Sequence, residues 1–408
     1  MIFFSLNVPG GSASVFLSIA DQLQKSGHSI DIFCYYFDPS RCFPELCKNL
    51  RISSIKNFTG ESRINNESMF NRFLLGIDYY LNSRKIFPLL KGKYDVIYTA
   101  EANAYVPALL YKRKNKIPVL WSVFDPLSLV DRDRPGMLIN KHKWFEFILR
   151  IHSYFDSKNI RELDIVLVPT SKMKKQLDIF YSINSRVFPL AGIRIDDFKK
   201  NCVKKAEIRL KKKFAFEKSN YTLLLSSGHF LPHRRYEDAI VAVSKVVKNN
   251  NKIRYLISGS KAFDPKYYQK LKDLVSALKL EDYVLFDDEF RTNEEVIGYY
   301  QLCDVFLFVS TEQTWGLAPF EAMACKKPVI MSKGVGSHTV LTNNQNALIV
   351  PEKSPEKIAQ SIENLLRDKK LYEKIRNNGY EIAYSAFSYK KIAKDLEELF
   401  VSLRQEMN

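Results

Sequence analysis

The stretch from Asp304 to Ile330 does most to limit the folds open to this chain. It opens with an apolar run, Val305 to Val309, flanked by polar residues, which reads as a strand buried in a parallel sheet. A polar loop with one glycine, Gly316, follows. Pro319 then stands where a helix begins, a position that suits proline. Glu321 falls in the first turn, where the helix dipole favours a carboxylate. Ala322, Met323 and Ala324 continue the helix, and a second apolar strand, Pro328 to Met331, comes after Lys326 and Lys327. This order sets side chains at the carboxyl edge of a parallel sheet, where open α/β sheets bind ligands. Glu321 has two readings there. It accepts hydrogen bonds from a vicinal diol such as a ribose, or it only improves the helix start.

The same alternation recurs along the chain. Strands are expected at Ile2 to Val8, His28 to Tyr35, Tyr94 to Tyr98, Ile117 to Val123 and Leu163 to Pro169, and in a second half at Tyr221 to Ser226, Arg254 to Ser258, Val284 to Phe286 and Asn346 to Val350. Helical patterns lie between them: Phe16, Ile19, Ala20 and Leu23 share one face, as do Ile358, Ile362 and Leu365 after Ser354-Pro355. A long helical stretch is expected over 60–92, and a charged, lysine-rich connection over Asp196 to Lys218. The 408 residues suffice for two or three domains. The pattern argues for an α/β protein of two doubly wound domains facing across a cleft.

Several loops carry candidate chemistry. Gly10-Gly11 sits between a strand and a helix, where backbone N–H groups approach a phosphate, although a plain tight turn is the commoner reason for such a pair. After the strand ending at Ser226 comes Gly228-His229-Phe230-Leu231-Pro232-His233-Arg234-Arg235, a phosphate grip or a basic surface turn. Glu101 and Asn103 end one strand, Phe124 and Asp125 another. Asp131-Arg132-Asp133 has the form of a metal motif but reads as a solvated loop, so no metal and no cofactor is expected. Residues 140–160 mix Trp144, Phe145, Phe147, Ile148 and Ile151 with basic side chains; a core-facing helix is favoured over one lying on an anionic membrane.

Composition narrows the setting. The net charge of +17 suits anionic partners such as nucleotide phosphates or acidic lipid. Six cysteines without paired spacing suggest reduced thiols in a cytoplasmic protein. No signal peptide and no membrane-spanning run is expected.

The residues GLAPFEAMACKKPVI resemble the donor-binding signature of glycosyltransferase family 4, retaining enzymes of the GT-B fold. The family's pattern is Glu, seven residues, Glu, with Gly-Leu between them, here Gly316 and Leu317. Glu321 matches the second glutamate, which holds the donor ribose. The first falls at Gln313, with Glu312 one residue early: either the loop bulges, the reading preferred here because a carboxylate holds hydroxyls better, or an amide replaces the acid. The resemblance also implies that Gly10 and Gly11 face the donor's diphosphate and sugar. Relatives place an arginine and, five residues on, a lysine on the donor phosphates; here those positions hold His229 and Arg234, with Arg235 adjacent. Phe124 stands at the family's active-site histidine, and Asp125 matches the residue after it. Arg186 to Leu190 and Ala191-Gly192-Ile193 resemble the family's crossing between domains.

These features imply an acceptor domain over 1–190, onto which a helix of 388–408 packs back, and a donor domain over 191–387. The expected activity is retaining transfer from a nucleotide-diphosphate sugar to a saccharide or lipid-linked hydroxyl acceptor, with Arg234, Glu312, Gln313 and Asp125 as catalytic candidates and a possible station on the inner face of the cell membrane. An epimerase of the same fold would need acid and histidine pairs that the sequence does not offer. A nucleic-acid-binding protein would need a reading motif, and the lysines are scattered.

Overall fold

The computed structural model describes residues 1–7, 10–57, 81–101, 103–124, 156–218, 221–289 and 291–407. They divide into two units, Met1–Ala191 with Tyr389–Asn408, and Gly192–Ser388. Asp125, the Asp131-Arg132-Asp133 triplet and most of 60–92 and 140–160 lie outside the described residues.

The first unit is built on a parallel sheet of β1 (Ile2–Phe3), β2 (Ser5–Leu6), β3 (Asp31–Phe37), β4 (Arg51–Asn57), β5 (Ile97–Ala100), β6 (Val119–Ser122), β7 (Ile165–Val168) and β8 (Arg186–Val187). β1 and β2, interrupted only at Phe4, both pair with β3, and β4 lies beyond β3; from β1 the sheet continues through β5, β6, β7 and β8. The chain therefore reverses its direction of winding between β1 and β5. Apolar side chains on one face form two clusters, one with Ile2, Phe33 and Val119 and the other with Trp121, Val166 and Leu177. The last helix, Tyr389–Met407, packs on the Gly11–Lys25 helix, and its Arg404 pairs with Asp95.

The second unit has six parallel strands: β9 (Thr222–Ser227), β10 (Ile253–Ser258), β11 (Val284–Asp287), β12 (Val305–Phe308), β13 (Val329–Ser332) and β14 (Leu348–Val350). Their order is β11-β10-β9-β12-β13-β14. The reversal falls between β9 and β12, paired through Leu224 with Val305 and Leu225 with Phe306. Leu224, Ile257, Leu307 and Ile330 are fully buried in the core beneath the Tyr236–Val246 and Pro355–Arg367 helices.

Four local features depart from the sequence reading. β4 was not anticipated: it is a largely exposed edge strand whose Ser53, Ser54 and Lys56 lack the apolar signature of a buried one. The strand expected from Tyr94 begins at Ile97, because Tyr94 packs edge-on against Phe33 and Asp95 is taken by Arg404. The first strand breaks at Phe4. The lysine-rich connection folds into two helices, Ile195–Lys199 and Val203–Phe214. The second of these buries Ala206 and Leu210 and approaches the Asn293–Leu302 helix closely, since a Cβ at Gly298 would stand 2.5 Å from the Cys202 carbonyl oxygen. All six cysteines are free thiols. Among the described residues no helix is long and apolar enough to cross a membrane.

Candidate functional site

In an open parallel sheet the place where the winding reverses leaves a crevice at the carboxyl ends of the strands. In the second unit that crevice lies beyond β9 and β12, so the loops that follow them are the ones to read. They are tied together: Thr311 N donates to the His233 carbonyl at 2.7 Å. The loops after β9 and β10 cross backbone to backbone, for a Cβ at Gly259 would stand 1.9 Å from the Gly228 oxygen. Gly316 has φ +93°, and a Cβ there would meet Phe308 at 2.8 Å, so both conformation and space demand glycine.

Arg234 is the cation of this crevice. Its guanidinium lies over the Phe308 ring, 5.2 Å from the centroid, and against Gly228, where a Cβ would be 3.2 Å from Cζ. Its Nε is buried without a hydrogen-bond partner, and among the described residues no carboxylate pairs with it. Arg235, adjacent in sequence and expected beside it, is engaged with acids of its own segment. Its backbone is left-handed (φ 54°), and its guanidinium grips Asp238 through two bonds of 2.9 and 2.8 Å and Glu237 at 2.8 Å. Acids at the start of the Tyr236–Val246 helix hold it for the fold.

His229 packs at a tilt against Phe263, ring centroids 4.2 Å apart, and Phe263 is itself 60% exposed. Partial desolvation, and after it the charges of Arg234 and Arg291, push the His229 pKa below its usual value, so it stands neutral at pH 7. Arg291, from the loop after β11, is a member of this group that sequence reading missed. Its Nη1 donates to the carbonyls of Asp287 (2.5 Å) and Gly259 (3.3 Å). No motif marked it; only the fold brings it beside the β9 loop.

On the other side of the crevice, Gln313 is pinned in an extended conformation. Its N–H donates to the Gly334 carbonyl at 3.0 Å, and its carbonyl accepts from Gly336 N at 2.7 Å, a short parallel pairing with the loop after β13. Glu312 is exposed and left-handed (φ 53°). The loop does kink at Glu312, but the kink leaves Gln313 in the ordered run that leads through Gly316 and Leu317 into the Ala318–Ala324 helix. This order favours Gln313 over Glu312 as the side chain that meets the sugar. Gln313→Ala is expected to cost more activity than Glu312→Ala, by about tenfold, the worth of one good hydrogen bond to a substrate; initial rates of the two variants at saturating donor decide it, and the opposite order would return the role to Glu312.

Glu321 is half-buried, and the Tyr300 hydroxyl donates to its Oε2 at 2.7 Å. Burial raises its pKa, opposed by the Tyr300 hydrogen bond and by Arg194. Leu317 caps the helix. Behind the crevice stands Asp287, fully buried at the end of β11. Arg209 bonds it twice, at 2.8 and 2.9 Å, Tyr299 at 2.7 Å and Lys213 at 3.1 Å. Burial would raise its pKa; these hydrogen bonds prevail and hold it below the usual carboxylate value.

The first unit carries the remaining candidates. Gly10 caps the Gly11–Lys25 helix with φ −142°, and a Cβ at either Gly10 or Gly11 would meet nothing within 4 Å. Neither backbone angle nor packing among the described residues requires glycine there. Phe124 follows β6, half-buried. Glu101 and Asn103, at the end of β5, are both left-handed (φ 67° and 60°).

Comparisons with known proteins agree with this geometry. The family model described as Glycosyltransferase Family 4 matches residues 9–189, and the model described as Glycosyl transferases group 1 matches residues 207–382. The chain is 25% identical over 325 residues to the alpha-monoglucosyldiacylglycerol synthase of Streptococcus pneumoniae, covering 78% of this chain and 67% of that one. It is 23% identical over 402 residues to an uncharacterized glycosyltransferase of Methanocaldococcus jannaschii, covering 96% and 94%. Among solved structures it is similar to Anabaena HepE in complex with UDP and glucose (TM-score 0.72, 16% identity, 98% of each chain). It is also similar to the sucrose-phosphate synthase of Thermosynechococcus elongatus (TM-score 0.73, 18% identity, the whole of each chain). At such identities the structural likeness speaks for the fold.

Proposed function

The chain belongs to glycosyltransferase family 4, the group 1 glycosyl transferases, and has their GT-B fold; from this premise we propose that it moves a sugar from a nucleoside-diphosphate donor to a hydroxyl acceptor with retention at the anomeric carbon. The observation that carries the donor half is Arg234: a guanidinium at the crevice between β9 and β12, its Nε buried and unmet. A diphosphate is the ligand that such a group suits. As the bond from the anomeric carbon to the phosphate oxygen breaks, negative charge gathers on the departing diphosphate, and a fixed cation there stabilises the transition state more than the ground state. Glu321 would take the donor ribose, and Gln313 the sugar.

Retention follows if the acceptor attacks from the side the diphosphate leaves. The new bond joins the acceptor oxygen to the anomeric carbon, and the acceptor's proton passes to the departing phosphate oxygen. Positioning and charge stabilisation then suffice without a protein base. Phe124, which cannot carry a proton, is compatible with such a route.

The test is release of nucleoside diphosphate from a panel of UDP-, GDP- and ADP-sugars with saccharide and lipid-linked acceptors, and the anomeric configuration of the product. A folded protein that turns over none of them, or that inverts, would overturn the proposal. Within it, Glu321→Gln should weaken donor binding by about 1.5–3 kcal/mol while the fold persists; an unchanged donor Michaelis constant would leave Glu321 as a helix-dipole partner.

A lipid-linked acceptor is favoured by the net charge of +17 and by the name of the Streptococcus pneumoniae relative, a synthase of a glucosylated diacylglycerol. Each basic group near an anionic surface adds about 1 kcal/mol, and salt screens it. The protein should float with anionic vesicles at low salt and be released at high salt; sedimentation away from them at low salt would count against this acceptor class.

A further inference from the structure

Glu321 is coupled to a residue outside its own helix. Tyr300, in the Asn293–Leu302 helix, is 1% exposed. Its hydroxyl donates to Glu321 Oε2 at 2.7 Å and lies near the Ser227 side chain at the end of β9. Phe198 and Phe306 flank its ring, centroids 6.4 and 5.4 Å away. A first-turn carboxylate that served only the dipole of its helix would need no partner and would face water. This one is turned inward onto a phenol that also reaches the end of β9.

We propose that Tyr300 is a positioning residue of the donor site: by occupying Oε2 it orients Glu321 so that Oε1 meets the ribose diol of the nucleotide. The inference rests on the donor-site reading of Glu321. The charged and titratable groups facing Glu321 are Tyr300, Arg194 from the segment before the Ile195–Lys199 helix, and Cys325 one turn further along its own helix. Burial favours the neutral carboxylic acid; the Tyr300 hydrogen bond, then the Arg194 charge, favour the carboxylate. Deleting the Tyr300 hydroxyl therefore moves the Glu321 pKa further up. Ionised Glu321, and with it the charge-assisted bond to the ribose, is then lost at a higher pH on acidification than in the wild type, and regained on the alkaline side.

The experiment measures dissociation constants of UDP, GDP and ADP, and of their 2′,3′-dideoxy forms, from about pH 5 to about pH 8, for wild type, Tyr300→Phe, Glu321→Gln and the double variant. Tyr300→Phe should bind the preferred ribonucleotide more weakly than wild type across the range, by about tenfold at the acid end and by less at the alkaline end, with dideoxy binding unchanged. On the Glu321→Gln background it should add no further loss. A loss equal for dideoxy forms, or additive with Glu321→Gln, would reduce Tyr300 to packing and overturn the proposal. A wild-type preference for the ribose that survives Glu321→Gln would instead overturn the reading of Glu321, and no binding of any of the three would overturn the nucleoside-diphosphate site. If Tyr300→Phe fails to fold, 3-fluorotyrosine placed at Tyr300 strengthens the donated bond instead, and the acid fall-off should move to lower pH; an unmoved fall-off would overturn the proposal equally.

Discussion

Arg234→Ala should lower turnover by about two to three orders of magnitude, the cost of removing one preorganised group from a developing anion, and change the donor Michaelis constant far less. The reasoning is local. No carboxylate among the described residues shares the Arg234 charge, its Nε is buried without a partner, and Phe308 and Gly228 fix the plane of the guanidinium. A group so placed needs no reorganisation when charge arrives. Arg234→Lys should recover part of the loss, since it keeps the charge and gives up the planar fork. Arg235→Ala is the control: it should leave turnover nearly intact and lower stability, because Arg235 is spent on Asp238 and Glu237. Steady-state kinetics of the three variants decide the matter. A pure Michaelis-constant effect for Arg234→Ala, or equal effects for the two alanine variants, would defeat the assignment.

Asp287→Ala should destabilise the second unit by about 3 kcal/mol, the lower end of the range for breaking a buried ion pair. The lower end applies because Glu295 stays within 3.2 Å of Arg209 and Asp288 within 3.2 Å of Lys213, so neither cation is left wholly alone. Denaturant unfolding measures it, and a loss under about 1 kcal/mol would put Asp287 with ordinary surface pairs. The site also sets an acid limit. Hydrogen bonds from Lys261 and Lys213 outweigh burial and hold Asp288 at about 2, and Asp287 is likewise depressed. For a carboxylate depressed in the folded state, the stabilisation is complete above its unfolded pKa of about 3.9 and disappears as pH falls through the folded value. Wild-type stability should therefore drop between about pH 4 and about pH 2, and Asp287→Ala should drop less steeply there.

What was legible in the sequence is what local order encodes. The strand, loop and helix from Val305 to Ala324 fold much as their residues suggest, because apolar run, glycine, proline and acid each act within a few positions. The pairings that build the site were not legible. Tyr300 and Glu321 are 21 residues apart, Arg209 and Asp287 78, and nothing in either neighbourhood names the other. Arg234 and Arg235 look alike on the page. A left-handed backbone at Arg235 and the acids Glu237 and Asp238 divide their fates, and the spacing of three from Arg235 to Asp238 was the one readable hint. Glu312 and Gln313 were ambiguous for the same reason: side-chain chemistry favoured the acid, whereas the pairing with Gly334 and Gly336 orders the amide.

The crossing of Gly228 over Gly259 bears on how such an enzyme could be retargeted. Where two main chains pass so closely, no substitution is neutral, and Gly316 is equally closed. The floor of the pocket is thus written in backbone, and a mutant library that randomised it would mostly return unfolded protein. Variation is affordable only where side chains reach past that floor. Gln313 and Phe263 are such places, each on a different loop. A search for new donor preferences should begin with those two, taken in combination, because they stand on opposite sides of the same crevice and a change at one alters what the other must accommodate.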